Sequence, residues 1–283
     1  MNRRTGRILA APAVLSGLYL LALMPRITGK PDPAPFDTKL FAHRGLHDNL
    51  SDAPENSMAA FKKAVDAGYG IELDVQLTKD KIPVIFHDFS LERVCGAPGQ
   101  VRDYTFEELR RFRLFESDER IPSLEQFLSM VKGRVPLIVE YKSEDPDMSV
   151  CRKAAPMLQA YKGVYCIESF NPLVLLWYRK HQPEVMRGQL SDGFTHDKKY
   201  QTLTKIPTVL PLQFLLANFL SKPDFIAYNC LYEGNLSRRL CRDLFKAKSA
   251  AWTIRSAEQL SGAAPYFDVF IFDSFMPDLP GEQ

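Results

Sequence analysis

The side chains most suited to chemistry in this sequence begin with Glu72 and Asp74, inside the apolar run GIELDVQL. The two carboxylates are two positions apart, so on a β-strand both leave the same face while the apolar residues between them leave the other. Buried carboxylates repel each other, and such a pair is tolerated mainly when a cation lies between them. An exposed edge strand, on which both acids are solvated, is the alternative that needs no function.

A third acid has the equivalent place in LIVEYK, where Glu140 ends an apolar run and Lys142 follows on the same face. Together with Glu72 and Asp74, it supplies carboxylate oxygens, which are the ligands that Mg²⁺ and Ca²⁺ prefer. The sequence therefore predicts a site for one divalent cation, with Mg²⁺ and Ca²⁺ both open.

Histidines end two further apolar runs, His43 in LFAHRG and His87 in PVIFHD. One histidine at a strand end is commonly a hydrogen-bonded structural residue, but here two of them alternate with strand-end acids. Arg44 adds a fixed cation whose guanidinium suits a bidentate grip on phosphate. Cations, a divalent metal and two imidazoles around one point describe phosphodiester cleavage, in which one histidine takes a proton and the other gives one.

The elements that must position these residues alternate along the chain from residue 38 onward. Short β-branched or aromatic runs lie between helical patterns, which is typical of an α/β fold with a largely parallel sheet. In a parallel barrel, functional residues collect at the carboxyl ends of the strands, where these runs place the histidines and acids. The predicted strands are 40–43, 70–77, 83–87, 137–141, 164–168, 185–190, 225–229, 250–254 and 269–272.

These nine runs are one too many for an eight-stranded barrel. Only TKDKI separates the second run from the third, which is too short for a crossover helix, so these two are predicted to form a hairpin-like unit. Helices are predicted between the runs, including one over 55–67. Thr105 and Ser123 each precede Glu or Gln by three residues, which predicts capping boxes at two helix starts.

The composition fits one catalytic domain. At 283 residues and 46% hydrophobic, the chain can bury one sizeable core, and single-domain α/β barrels commonly have this length. The net charge of +2, from 36 basic and 34 acidic residues, gives no reason to expect nucleic acid as a partner. Five scattered cysteines without a CxxC spacing indicate neither a zinc site nor a disulfide framework.

The amino-terminal segment has the pattern of a targeting element. Arg3, Arg4 and Arg7 precede the 17-residue apolar run 8–24, which is at the short end of the lengths that span a bilayer. No A-x-A-like cleavage site follows, so an uncleaved anchor is favoured over a removed signal peptide, and a buried soluble helix is the third possibility. The arginines place the globular part outside the cytoplasm, although basic residues on the other flank oppose this.

The predicted organisation is therefore a membrane anchor or signal segment over 1–25, a Pro-rich linker over 26–37 and a catalytic barrel over 38–283. Within the barrel, IPTVLPLQFLLANFL over 206–220 is too apolar for an ordinary solvated loop. It is either a barrel helix with a broad buried face or a membrane-seated element beside the active-site mouth.

The motifs HRG, PENS, GxxxELDVQLTKDKIPVIFHD, RVCG, IPSLEQFL, IVEYK, ESF and AWTI occur in this order. In this respect the chain resembles the glycerophosphodiester phosphodiesterase family over about residues 38–279. The resemblance implies a phospholipase-C-like (β/α)8 TIM barrel that cleaves a glycerophosphodiester to glycerol phosphate and an alcohol. It also implies residue roles: an acid–base pair of His43 and His87, metal ligands Glu72, Asp74 and Glu140, and phosphate contacts Arg44 and Lys142.

The sequence departs from the family pattern around the barrel mouth. PENS replaces the commoner PENT and keeps Glu55 and Asn56, which are expected to orient the residues of the site. RVCG, WTIR and FIFDSF replace RTTG, WTVN and a TD-type ending, which leaves the catalytic set whole and the substrate pocket open. Trp252 and Phe170 are candidates to line that pocket, or they are core aromatics. The remaining histidines are expected on the surface or in loops, with His47 close enough to His43 to touch the site: His47, His181 and His196.

Four functions stay open from the sequence. The leading hypothesis is a metal-dependent hydrolase of glycerophosphodiesters that is tethered to a membrane. A lysophospholipase D-type enzyme would use the same chemistry on membrane lysophospholipids. A sphingomyelinase-D-like lyase would share the histidines and accumulate a cyclic phosphate, and a catalytically silent barrel would act as a binding module.

Overall fold

The structure is a computed structural model that describes residues 14–36, 39–143, 146–202 and 204–279. Eight parallel strands close a barrel in the order β1, β2, β4, β5, β6, β7, β8, β9, with β9 pairing back to β1. The strands are β1 (Leu40–His43), β2 (Gly70–Leu77), β3 (Pro83–Ile85), β4 (Leu137–Tyr141), β5 (Tyr165–Ser169), β6 (Arg187–Ser191), β7 (Phe225–Asn229), β8 (Lys248–Ile254) and β9 (Val269–Phe272).

Helices cover the outside of this barrel and contribute to the larger hydrophobic core. Ser57 caps α1, and the capping boxes predicted at Thr105 and Ser123 are confirmed at α3 and α4. The helices are α1 (Met58–Asp66), α2 (Glu92–Cys95), α3 (Phe106–Leu109), α4 (Leu124–Val131), α5 (Ser149–Ala160), α6 (Pro172–His181), α7 (Ile206–Gln213), α8 (Asn218–Ser221), α9 (Leu236–Asp243) and α10 (Ala257–Ala263).

Helix α1 begins three residues later than the predicted start at residue 55. Asn56 has a φ of +57°, a left-handed conformation that a right-handed helix cannot include. Glu55 and Asn56 therefore stay in the loop between β1 and α1, where their side chains face the rim of the barrel.

The ninth strand, β3, is the hairpin partner of β2. It pairs antiparallel with the end of β2, Val75 opposite Ile85, and stays outside the closed ring. This confirms the predicted hairpin and accounts for the odd strand. The sequence placed His87 at the carboxyl end of a parallel strand, which was wrong, because β3 runs back down along β2. His87 reaches the rim because β2 is eight residues long and the returning chain meets it at Asp74, where the amide of Phe86 donates to the Asp74 carbonyl at 2.9 Å.

A separate apolar cluster fills the inside of the barrel. Its floor is closed by a short 3₁₀ turn, Ala34–Phe36, that precedes β1. The ring of Phe36 is buried and meets Phe225 edge to face, with centroids 4.7 Å apart, and Phe41 at 6.3 Å. The chain ahead of the first strand thus supplies part of the interior packing.

The amino-terminal segment is helical over residues 14–23 and packs its end against the barrel. Leu23 is buried, and the Asn218 amide donates to its carbonyl at 3.0 Å. Among the described residues, no helix combines the length and apolar character needed to cross a bilayer, so the predicted transmembrane helix is not supported there. Residues 1–13 of the predicted anchor lie outside the described part of the chain.

The apolar segment 206–220 forms α7 and α8 between β6 and β7. The Ser191 hydroxyl donates to the Leu212 carbonyl at 2.8 Å, and the Tyr228 hydroxyl donates to the Gln213 carbonyl at 3.0 Å. These contacts fix α7 to the ends of both strands, but within α7 only Val209 and Gln213 are buried, so the helix lacks a broad buried face.

Candidate active site

The site begins where β1 ends, in the sequence His43-Arg44-Gly45. Arg44 has a φ of +55° and Gly45 a φ of +82°, so the chain turns sharply away from the strand. A Cβ on Gly45 would lie 2.9 Å from the Ala60 carbonyl carbon, so only glycine lets the turn pack against α1. The turn leaves His43 at the strand end and directs the Arg44 amide to Glu72 Oε2, at 3.0 Å.

Glu72, Asp74 and Glu140 meet inside the barrel at this rim. Each offers a carboxylate oxygen, and these oxygens lie within 4.8 Å of one another. The pairing of β2 with β4 causes this, because Asp74 is directly opposite Glu140. All three side chains are buried, as the alternating pattern of GIELDVQL predicts for a barrel interior.

The electrostatics of these acids fit a divalent cation. Burial and the charges of Asp74 and Glu140 raise the pKa of Glu72 well above 4.5. Asp74 Oδ1 is buried without a hydrogen-bond partner among the described residues, and its contact with Lys142 Nζ is 3.4 Å long. Crowded carboxylates with a free oxygen are a suitable ligand set for Mg²⁺ or Ca²⁺, which take oxygen ligands and offset the repulsion.

Two fixed cations border the acids. Lys142 Nζ donates to Glu140 Oε1 at 2.9 Å, and Arg44 Nε lies 3.6 Å from Asp74 Oδ2. Burial alone would lower the pKa of Lys142, but the charges of Glu140 and Asp74 raise it to about 12. Lys142 is therefore ionised throughout the physiological range.

Glu55 and Asn56 hold this arrangement from the loop before α1. The Asn56 amide donates to Asp74 Oδ2 at 2.9 Å, and Arg44 donates to Glu55 Oε1 at 2.7 Å. Burial would raise the pKa of Glu55, but hydrogen bonds from Arg93 and the charges of Arg44 and Arg93 lower it to about 2. Glu55 is thus an ionised bridge between two guanidinium groups.

His43 lines a cavity of about 770 Å³ that opens beside Arg44. Burial, and then the charge of Arg44, lower the pKa of His43 from 6.5 to about 4, against an opposing effect of Asp273. Its Nδ1 lies 3.5 Å from Asp273 Oδ2, beyond hydrogen-bond geometry. The ring is therefore neutral near pH 7 and can accept a proton.

His87 is oriented by its neighbour Asp88, which accepts a hydrogen bond from Nδ1. Arg93 Nε donates to the same carboxylate at 2.6 Å, and Arg93 also bonds Glu55. Gln76 holds this loop by donating to the carbonyls of Phe86 and Asp88, each at 2.7 Å. One network thus connects the loop of His87 to the loop of Arg44.

Sequence reasoning missed Glu168, a further buried acid next to the three candidate metal ligands. It is paired with Glu140 in the register of β4 and β5, and its Oε2 has no hydrogen-bond partner among the described residues. Burial and the charges of Glu140 and Asp74 raise its pKa well above 4.5. The signal was present in the motif ESF, since Glu168 ends its strand as Glu140 does.

Asp273 was also missed, whereas His47 touches the site as its closeness to His43 in the sequence predicted. Asp273 follows β9 and contacts His43, His47 and Arg255, the last at 2.9 Å. His47 lies in the loop after β1, as expected, but it is largely buried, lines the cavity and faces Asp273 at 3.5 Å. The FD dipeptide after the last strand was the available signal for Asp273. His181 and His196 lie away from these acids and stack on Trp177 and Tyr232.

The two aromatic candidates for the substrate pocket lie together on the other side of the mouth. Phe170 and Trp252 meet edge to face with centroids 5.7 Å apart, and Phe170 also contacts Phe194 at 6.0 Å. Trp252 Nε1 is buried without a hydrogen-bond partner among the described residues. Both rings cap the interior apolar cluster, and neither lines the cavity beside His43.

Solved structures with this barrel include a phosphodiesterase of Oleispira antarctica in complex with the product sn-glycerol-3-phosphate. It has a TM-score of 0.64 and 22% identity, covering 83% of this chain and 92% of that chain. A glycerophosphodiester phosphodiesterase of Thermotoga maritima has a TM-score of 0.61 and 22% identity, covering 83% of this chain and 94% of that chain. At this identity the likeness establishes the fold.

Curated relatives match in sequence. A glycerophosphodiester phosphodiesterase of Bacillus altitudinis is 46% identical over 104 residues, 34% of this chain. The chain spans only 41% of that relative's length and 46% of the one from Caldanaerobacter subterraneus. Glycerophosphodiester phosphodiesterase 1 of Bos taurus is 27% identical over 271 residues, 84% of this chain and 76% of the relative.

The match to a family model covers most of the barrel. The model of the glycerophosphoryl diester phosphodiesterase family aligns with residues 43–263, from the first histidine of the site to the last helix. With this share of the sequence matched, the chain belongs to the glycerophosphoryl diester phosphodiesterase family.

Proposed function

We propose that this protein hydrolyses glycerophosphodiesters to glycerol phosphate and an alcohol, using one divalent cation, Mg²⁺ or Ca²⁺. The observation that carries the proposal is the convergence of Glu72, Asp74 and Glu140 within 4.8 Å, beside Arg44 and Lys142, in a member of this family. A negatively charged diester needs this combination, because the cations offset its charge while the acids hold the metal.

In this proposal Glu72, Asp74 and Glu140 hold the cation, which supplies Lewis-acid charge next to the phosphate. Arg44 and Lys142 contact the phosphate oxygens, with the guanidinium of Arg44 held in place by Glu55. Asn56 fixes the orientation of the Asp74 carboxylate. Phe170 and Trp252 bind the non-reacting part of the substrate, where the unpaired indole N–H can donate to a polar group.

The histidines divide the proton transfers. His43, neutral near pH 7, takes the proton of the attacking hydroxyl, either water or the neighbouring glycerol hydroxyl, as its oxygen bonds to phosphorus. The bond from phosphorus to the alcohol oxygen breaks, and His87, held by Asp88, gives that oxygen a proton. With the glycerol hydroxyl as attacker, water then opens the cyclic phosphate, so the balance in both routes is one water per diester.

The proposal includes a tether to a membrane through residues 1–25, with the barrel outside the cytoplasm. The support is the order of Arg3, Arg4 and Arg7 before the apolar run 8–24. A specific observation favours lysophospholipids as a second substrate class: Leu50 and Met276 border the cavity and are strongly exposed, so apolar side chains lie where an acyl chain would leave the site.

The test is a substrate panel with metal removed and restored. Glycerophosphocholine and lysophosphatidylcholine are compared, and the products are identified by mass spectrometry. Release of choline that needs Mg²⁺ or Ca²⁺ and is lost in His43→Ala supports the proposal. An accumulating cyclic phosphate would instead identify a lyase. If no diester is cleaved and His43→Ala behaves like the parent, the barrel is a silent binding module.

A further inference from the structure

The direction of the amino-terminal helix is fixed by its contacts with α9. Tyr19 and Ser237 share a hydrogen bond of 2.7 Å, and one turn later the Leu23 carbonyl accepts from Cys241. The helix over 14–23 therefore runs parallel to α9. Because α9 follows β7, both helices run from the carboxyl ends of the strands toward their amino ends.

The chain that leaves this helix confirms its direction. The Arg26 amide donates to the Pro223 carbonyl at 2.9 Å, and Lys222 Nζ donates to the Met24 carbonyl at 3.0 Å. Lys222 and Pro223 lie just before β7, at the face of the barrel opposite the active site. Residue 14 therefore lies toward the active-site face, about 7.5 Å beyond Tyr19 at 1.5 Å per residue.

Residue 14, the first described residue, thus lies on the side of the barrel that carries the active site. In the sequence, the apolar run begins at Ile8 and follows Arg3, Arg4 and Arg7. The described part of the helix exposes Val14, Leu15, Leu18 and Leu21, each more than half accessible. If this run is seated in a bilayer, the bilayer lies on the active-site side of the barrel.

The active-site face also has apolar side chains at its edge. Leu50 is 98% exposed and Met276 65%, in the loops that follow β1 and β9, and Leu231 after β7 is 68% exposed. Apolar residues on the opposite face are less exposed, at 43–55%, and these are Ile27, Val164, Phe219, Leu244 and Tyr266. Single exposed apolar residues are common. The difference in exposure between the two faces therefore agrees with the orientation inferred from the helix direction, but it does not establish that orientation alone.

Basic residues on the same side suit an anionic surface. Phe194, which contacts Phe170 at the mouth, packs on Tyr200, and the ammonium groups of Lys199 and Lys205 lie 4.8 Å and 6.0 Å from the Tyr200 ring centre. Both lysines are exposed, and Lys199 Nζ is ion-paired with Asp197 Oδ2 at 3.0 Å. Lysine beside aromatic and apolar side chains is the composition of surfaces that bind anionic lipid headgroups.

We propose that the active-site face of the barrel lies against a lipid bilayer with anionic headgroups, so that substrate enters the cavity from the membrane surface. The proposal rests on the membrane tether of the proposed function. It goes further, because it fixes the orientation of the barrel and makes the edge beside Leu50 and Met276 the entry side for a diester carried by a lipid.

The helix α9 offers a matched pair of positions for the test. Leu236 and Leu244 have similar exposure, 58% and 54%, and lie at opposite ends of the helix, about 12 Å apart at 1.5 Å per residue. Leu236→Trp and Leu244→Trp are introduced separately into the full chain. Each variant is bound to vesicles of phosphatidylcholine and phosphatidylserine whose brominated acyl chains quench tryptophan fluorescence. The fluorescence of the parent protein is subtracted from that of each variant.

The tryptophan at position 236 is expected to be quenched at least about twofold more than that at 244, because interfacial side chains enter roughly 5–10 Å into the bilayer boundary. Equal quenching, stronger quenching at 244, or failure of the full chain to sediment with vesicles would overturn the proposal. If Leu236→Trp does not fold by circular dichroism, Leu231→Trp replaces it.

Hydrolysis of glycerophosphocholine, a water-soluble diester, is measured on the same preparations. This separates the two proposals, since the soluble substrate needs no membrane. Differential quenching without hydrolysis leaves the orientation standing and removes the proposed activity. Hydrolysis with equal quenching leaves the activity standing and removes the orientation.

Discussion

Near the rim, the inward positions of β1, β2, β4 and β5 carry His43, Glu72, Asp74, Glu140 and Glu168, whereas those of β6, β7 and β8 carry Leu190, Ala227 and Trp252, with Asn229 opposite Trp252. The first side is a network of charges in which His43 Nδ1, Asp74 Oδ1 and Glu168 Oε2 are buried without a hydrogen-bond partner among the described residues. The second is a largely apolar wall that ends in two aromatic rings. The motifs that match the family concentrate on the charged side. Of the four departures, WTIR lies on the apolar side, PENS and RVCG contain Glu55 and Arg93 of the charged network, and FIFDSF contains Asp273, which contacts His43.

The difference separates two tasks within one barrel. The charged side can bind a phosphate and move protons, and a change there alters groups that are held by several others. The apolar side contacts whatever is attached to the phosphate, where size and polarity can vary without disturbing the network. Substrate preference is therefore expected to depend on β6 to β8 and reactivity on β1 to β5.

The largest expected effect comes from removing the proposed base on the charged side. His43→Ala is expected to lower kcat/KM on a glycerophosphodiester by about 10² to 10⁴, the usual contribution of a positioned acid or base. The matched control is His196→Ala, since His196 stacks on Tyr232 near the other side of the mouth. If the two variants lose activity equally, the functional difference between the sides is refuted.

The next effect concerns the stability of the charged network. The pKa of Glu55 is about 2 in the folded chain, against 4.5 when unfolded, so its ionised form stabilises the fold above pH 4.5 and this contribution is lost as the pH falls toward 2. At neutral pH it is worth at most about 3 kcal/mol.

Urea unfolding of Glu55→Gln and the parent, measured across this pH range, checks the expectation. The stability difference should shrink as the pH falls. Glu107→Gln is the control, because the Glu107 side chain is 76% exposed, and it should change stability little at any pH. A difference for Glu55→Gln that stays constant with pH would contradict the assigned role.

A smaller effect is expected in the pH dependence of metal binding. Burial and the charges of Asp74 and Glu140 raise the pKa of Glu72, and a cation binds the ionised form, so affinity should rise with pH by up to about tenfold per unit. Calorimetry with Mg²⁺ and Ca²⁺, in buffers with different heats of ionisation, should detect proton release. Glu72→Gln should weaken binding and flatten this slope, and a slope unchanged in that variant would exclude Glu72 as its source.

The smallest effect is expected on the apolar side. Trp252→Phe removes the buried indole N–H and should raise KM about fivefold for substrates that accept this hydrogen bond, near 1 kcal/mol, with kcat unchanged. Trp177→Phe is the control, since Trp177 stacks on His181 outside the barrel. A fall in kcat without a change in KM would instead show that Trp252 contributes to the reaction and not to substrate binding.

The sequence was sufficient for features that depend on neighbouring residues. The two-residue spacing of Glu72 and Asp74 predicts their common face, and the short turn after β2 predicts the hairpin. The capping boxes at Thr105 and Ser123 follow from a three-residue spacing. In each case the physical cause acts over a few positions, so it is visible in a short stretch of chain.

Features that depend on pairing between distant segments could not be predicted. Asp273 contacts His43 from the other end of the chain, and the position of His87 relative to the barrel rim depends on β3 running back along β2. Glu168 and Glu140 each lie one residue before the end of their strands, but only the register of β4 and β5 brings the two acids side by side. The direction of the helix over 14–23 likewise depends on its contacts with α9.

The turn that closes the barrel floor makes the stability of the barrel depend on the chain that precedes its first strand. Since the ring of Phe36 fills the space between Phe41 and Phe225, a fragment that starts at the first strand would have an open floor. Burying a phenylalanine is worth roughly 1.5–3 kcal/mol, a large part of a typical margin of stability. Proteolytic cleavage after Phe36 would therefore yield a less stable barrel, whereas cleavage before Pro33 would leave the Phe36 ring in place.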